Sequence, residues 1–101
     1  MTKIVLFHHL AAREYVAAHR WYARRSPAAA QRFREAIDRV VERLESDPEQ
    51  GTPFRDSFRW MRTRRFPYLL YYEIFDPGPI WVYAVAHSRR RPGYWLRRTG
   101  S

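Results

Sequence analysis

The side chains best suited to chemistry gather in two places: His87, Arg89, Arg90, Arg91 and Tyr94 near the C-terminal end, and Arg59, Arg62, Arg64 and Arg65 earlier in the chain. Guanidiniums stay protonated at any working pH and present a planar fork of donors that meets carboxylates and phosphates two bonds at a time. Neighbouring aromatics add faces for stacking. Together they suit a polyanion or an acidic protein segment. His87 adds a group whose ordinary pKa of about 6.5 permits acid or base work near neutrality. Each residue also has a structural reading. A histidine at a strand end caps or packs, an arginine run forms a solvated face, and Tyr94 with Trp95 closes the core.

These residues need a scaffold, and the pattern around them describes one. Ile80 to Val85 is short, β-branched and aromatic, which predicts a strand. Strict alternation would send Ile80, Val82, Ala84 and Ala86 one way and Trp81, Tyr83, Val85 and His87 the other. Pro92-Gly93 then turns the chain so that Tyr94 and Trp95 fold back. Tyr68 to Phe75 is a second aromatic-rich strand, joined to the first through the turn Asp76-Pro77-Gly78-Pro79. Phe58 to Thr63 predicts a third strand with a basic face.

Upstream, the apolar run Ile4 to Phe7 predicts a strand covered on both faces or lying deep in the sheet. From Ala11 the period changes, with Ala11, Tyr15, Ala18 and Tyr22 forming the stripe of an amphipathic helix. Ser26-Pro27 supplies an N-cap and a first helical residue for a second helix, in which Phe33, Ile37, Val40 and Leu44 repeat the spacing. Asp47-Pro48 ends it, and residues 49–53 read as loop. The expected architecture is a single two-layer α+β domain over residues 1–101, ordered β-α-α-β-β-β, with two helices packed on one antiparallel-dominated sheet.

Composition agrees with a folded domain: 101 residues, 46% hydrophobic and 17% aromatic, enough for one core and short of two. The net charge is +9 and is uneven. From Arg55 onward, ten arginines face Asp56, Glu73 and Asp76, leaving +7, whereas nine basic residues before it face seven acids, leaving +2. The absence of cysteine excludes disulfides, thiolate metal sites and a cysteine nucleophile, and fits a reducing cytoplasm. His8, His9 and His19 lack carboxylate partners at ligand spacing, so no metal and no cofactor is assigned. The N-terminal apolar run is too short to export the chain or span a membrane.

Several stretches carry a resemblance. Trp21-Tyr22 followed by Ser26-Pro27, the helix ending in Asp47-Pro48 and reaching Gly51 and Pro53, RRFPYLLYYEI from Arg64 to Ile74, and VAHSRRRPGYW from Val85 to Trp95 together resemble the RelE/ParE superfamily of bacterial type II toxin–antitoxin toxins. The resemblance covers about residues 3 to 95. It implies a small antitoxin encoded alongside, whose C-terminal segment wraps the toxin, with Tyr15, Trp21 and Tyr22 as its expected docking place. It also implies one of two activities. The RelE branch cuts mRNA on the ribosome without metal, and the ParE branch poisons DNA gyrase.

Metal-free RNA cleavage needs a base, an acid and fixed positive charge at the phosphate. Here that would mean His87 with Arg65 and Arg89, and Tyr94 stacked on a base. Nucleases resembling RelE place lysines on the binding face, yet this chain has only Lys3, and arginine is a poor general base. The resemblance therefore leans to the ParE side. A non-enzymatic toxin would grip its target with Arg59, Arg62, Arg64, Arg65, Arg89, Arg90, Arg91 and Tyr94. The ribosome-dependent nuclease and a non-toxic basic binding module are the alternatives.

Overall fold

The computed structural model describes residues 2–100. Two helices, α1 (His9–Ala23) and α2 (Pro27–Ser46), cover one face of a five-stranded sheet. Its strands are β1 (Val5–Phe7), β2 (Thr52–Phe54), β3 (Phe58–Arg62), β4 (Tyr68–Ile74) and β5 (Ile80–His87), in the order β1-β5-β4-β3-β2. β1 runs parallel to β5, and every other neighbouring pair is antiparallel. The α+β expectation of two helices on an antiparallel-dominated sheet is met.

The helix boundaries follow their local chemistry. Ser26 is extended, and its hydroxyl accepts from the Ala29 N–H at 3.0 Å, while Pro27 occupies the first helical position. Ser26→Ala should therefore lower stability by about 1 kcal/mol in chemical denaturation. At the other helix, His8 Nδ1 accepts from the Leu10 N–H at 3.1 Å. The stripe of α2, Phe33, Ile37, Val40 and Leu44, is buried against Met61, Leu70, Tyr72, Ile80, Val82 and Val85 of the sheet.

Three expectations need correction. First, the stretch after α2 is not all loop: Pro48–Gln50 forms one 3-10 turn and Thr52–Phe54 adds the edge strand β2. Pro53 has no N–H to offer a sheet neighbour, which is tolerated at an edge. Second, β1 is the opposite edge strand and is not covered on both faces. Ile4 is 69% and Leu6 42% exposed, because apolar continuity alone cannot tell a central strand from a short edge.

Third, side-chain alternation along β5 breaks. Tyr71 pairs with Ala84 and Tyr72 with Val82, leaving Tyr83 as the extra residue of a bulge. Ile80 and Val82 pack on the helix side and so does Val85, while Ala84 and Ala86 join Tyr71, Tyr83 and Trp95 on the other face. The grouping of Ile80, Val82, Ala84 and Ala86 on one side is thus wrong beyond Val82. A one-residue insertion shifts every later side chain to the opposite face.

The second face of the sheet is not bare. After β5 the chain doubles back, and Trp95, fully buried, stacks on Tyr83 at 5.8 Å and sits 4.9 Å from Tyr71 and 5.1 Å from Phe58. Gly51 serves the same packing economy on the helix side. A β-carbon there would lie 2.0 Å from the hydroxyl oxygen of Tyr72, which is hydrogen-bonded to the Pro48 carbonyl.

All seven tyrosines are held in the neutral form, their pKa values raised by burial. For Tyr83 and Tyr94 a hydrogen-bonded carboxylate, Glu73 and Glu14 respectively, raises them further. In the unfolded chain these phenols ionise near pH 10, about the value for free tyrosine. Their stabilising contribution is therefore complete below that pH and is lost as pH rises toward the higher folded values. An alkaline titration should show phenolate absorbance appearing together with loss of circular dichroism. Phenolate formed along a simple curve in the still-folded protein would contradict it.

Candidate functional site

Strand pairing brings the candidate residues to one end of the sheet. Tyr68 at the start of β4 pairs with His87 at the end of β5, and the Ser88 N–H donates to the Pro67 carbonyl at 2.7 Å. The β3–β4 turn, with Arg64 and Arg65, is thereby held beside the turn carrying Arg89, Arg90 and Arg91. Buried Thr63 braces the first turn, its hydroxyl bonding to the carbonyls of Phe66 at 3.0 Å and Tyr68 at 3.3 Å. Arg65 adopts φ 68°, the left-handed region that side chains other than glycine enter at a cost.

His87 is half-buried and stands edge-on to Tyr68 at 5.4 Å. Its Nδ1 accepts from the Arg89 N–H at 3.1 Å, which leaves Nε2 as the nitrogen for any partner. The ring lines an apolar cleft together with Ala17, Ala18, Trp21, Tyr22 and Tyr68.

Glu14, a residue of α1, organises the C-terminal turn. β1 ends at Phe7, so the outer edge of β5 is open from Ala84 onward. There the Val85 N–H donates to Glu14 Oε1 at 3.0 Å, and Arg98 donates to the Tyr83 carbonyl at 2.8 Å. Arg98 and Glu14 are joined by two bonds of 2.9 Å, and the Tyr94 hydroxyl donates to Glu14 Oε2 at 2.7 Å. The pair of side chains thus stands in for a missing neighbouring strand. Arg90 lies 3.7 Å over the Tyr94 ring and 3.9 Å from Glu14. Hydrogen bonding to Glu14 raises the Arg98 pKa above its ordinary value, so the guanidinium is charged throughout.

The remaining candidates divide by surroundings. Arg59 lies away from this end and donates to the carbonyls of Glu49 at 3.1 Å and Gly51 at 2.8 Å, holding the 3-10 turn. Tyr94 has its hydroxyl on Glu14 and its face under Arg90. Arg62, Arg64, Arg65, Arg89 and Arg91 are exposed, and among the described residues the ion pairs are those of Glu14 with Arg90 and Arg98. Tyr15 and Tyr22 stack on Phe33 at 5.8 and 5.1 Å and belong largely to the core. Trp21 is 47% exposed, with Arg25 3.3 Å above its ring. Among the described residues no three His, Asp or Glu side chains form a metal ligand set, and no helix is long and apolar enough to cross a membrane.

A family model described as "ParE toxin of type II toxin-antitoxin system, parDE" matches residues 5–92. The chain belongs to the ParE toxin family of type II toxin–antitoxin systems. The match runs from β1 through the arginine turn, so it spans the whole sheet and both helices. Among solved structures, a chain of the "Chromosomal ParDE TA system from P. aeruginosa" superposes with a TM-score of 0.73 at 18% identity, covering 85% of this chain and 96% of that one. This likeness speaks for the fold. No curated protein matches the chain.

Within this ParE family member, Glu14 is the organising residue that sequence reasoning missed. The signal was present. Glu14 stands three residues after Ala11 and four before Ala18, both buried, so it lies on the inward stripe of α1. A carboxylate at such a position requires a partner.

Proposed function

We propose that this ParE family member is a toxin that acts by binding rather than by bond breaking, with DNA gyrase as its target and a cognate antitoxin as its neutraliser. The observation that carries the reading is the arginine-rich end of the sheet: Arg64, Arg65, Arg89 and Arg91 come from two turns tied together by the Ser88–Pro67 hydrogen bond, and none has an ion-pair partner among the described residues. Unpaired guanidiniums on fixed turns are ready to meet an acidic surface. The purified protein should inhibit gyrase supercoiling or trap cleaved DNA. Arg64→Gln/Arg65→Gln/Arg89→Gln/Arg91→Gln should weaken that effect at least about tenfold, as expected when several charge-assisted contacts of 1.5–3 kcal/mol are lost. Wild-type protein without effect at micromolar excess would defeat the reading.

A ribosome-dependent mRNA endonuclease is the second reading, favoured by the nearness of His87 to the turn bearing Arg65 and by its free Nε2. It predicts new 5′ ends after induction, abolished in a folded His87→Ala protein. For the antitoxin, the apolar cleft beside Trp21 offers a seat for apolar anchors, and the nearby arginines offer partners for acidic residues. The association rate should fall as salt rises.

A further inference from the structure

A second concentration of positive charge lies along α2; it shares Arg64 and Arg65 with the edge assigned to gyrase and adds Arg32 and Arg39, which that reading does not use. The groove between α2 and the β3–β4 turn has Arg32 and Arg39 on the helix side, Arg64 and Arg65 on the turn side, and Phe66 between them. It continues along α2 past Arg39 and Arg64 to Arg62. Among the described residues Glu35 is the one acid lining it, and that carboxylate accepts from Gln31 at 3.2 Å. None of the side chains of Arg32, Arg39, Arg62, Arg64 and Arg65 has a hydrogen-bond or ion-pair partner among the described residues. Like charges facing each other across a groove without counter-charges repel, and an arrangement of that kind is relieved by a bound polyanion.

We infer that this groove binds the phosphate backbone of single-stranded nucleic acid. Three features favour that ligand. The arginines stand on both walls, so that consecutive phosphates can be held from two sides. Arg32 and Arg39 are separated by about 10 Å along α2 at 1.5 Å per residue, enough to engage more than one phosphate of a strand. Trp21, 47% exposed, lines the same groove with the Arg25 guanidinium 3.3 Å above its ring, and that guanidinium plane is a surface on which a base stacks. Arg65, held at φ 68°, is the strained residue of the turn wall.

The test is fluorescence anisotropy of the full chain with a labelled single-stranded oligonucleotide of about twelve nucleotides, within the usual range for one binding groove, over a series of salt concentrations. Any strongly basic protein binds such a probe weakly, so the comparison is between two doubles of equal charge: Arg32→Gln/Arg39→Gln in the groove and Arg13→Gln/Arg20→Gln on the exposed side of α1. The groove double should lose about tenfold in affinity near 0.1 M salt and reduce the slope of log affinity against log salt by about 1.4, at about 0.7 per phosphate contact. The α1 double should change both far less. Arg32→Lys/Arg39→Lys should retain the slope. Equal losses in the two Gln doubles would reduce the binding to net charge and overturn the inference. So would a glutamate peptide of the same length that binds more tightly than the oligonucleotide, which would make the groove a seat for an acidic protein segment. Arg32 and Arg39 lie outside the edge assigned to gyrase, so failure here leaves that proposal standing.

Discussion

Glu14→Ala is expected to destabilise the protein by about 3–5 kcal/mol, the range for removing one member of a buried, hydrogen-bonded ion pair. Glu14 is only 17% and Arg98 13% exposed at the side chain, so neither can turn to solvent for compensation. The substitution leaves Arg98 without its counter-charge, the Tyr94 hydroxyl without an acceptor, and the Val85 N–H unsatisfied on the open edge of β5. Arg90, 53% exposed, contributes little to the balance. Chemical denaturation monitored by circular dichroism checks it. A change below about 1 kcal/mol, as for an exposed pair, would mean that the side-chain substitute for the missing strand is dispensable. Glu14→Gln keeps one acceptor oxygen, enough for the Val85 N–H, and should cost less than the alanine variant.

Trp95→Ala should be similarly severe, about 3–5 kcal/mol, since it empties the largest fully buried site on the second face of the sheet. Tyr71, Tyr83, Phe54 and Phe58 all pack on that indole. The comparison with Trp95→Phe is the sharper measurement. The indole Nε1 is buried with no hydrogen-bond partner among the described residues, and an unmet buried donor carries a penalty of about 1–3 kcal/mol. Phenylalanine removes that donor while leaving a smaller void, so its cost should fall well below that of alanine. A Trp95→Phe cost approaching that of alanine in denaturant titrations would contradict the account of an unmet donor.

Much of this architecture can be read from the chain. The stripe Phe33, Ile37, Val40 and Leu44, the Ser26-Pro27 start and the hairpin around Asp76-Pro77-Gly78-Pro79 are local signals, and each reports its own element. The errors share a cause: they depend on neighbours distant in sequence. Whether Ile4 to Phe7 is central or at an edge depends on where the sheet stops. The bulge at Tyr83 exists because of pairing with Tyr71 and Tyr72, and no alternation count along β5 reveals it. Thr52–Phe54 is a strand only because β3 lies alongside. In the candidate site, the arginine turns were legible as clusters. Their adjacency came from the Tyr68–His87 register, and the work of Glu14 came from residues more than seventy positions away.

The scarcity of internal counter-charge has a thermodynamic corollary. With two ion pairs, both on one carboxylate, among the described residues of a chain of net charge +9, compaction is opposed by mutual repulsion of its guanidiniums, and dissolved anions supply what the fold itself does not. The free protein is consequently less robust than its packing would permit. Whatever acidic molecule settles on it contributes twice, through the contacts it makes and through the repulsion it relieves, so that complex formation and resistance to unfolding are one linked equilibrium.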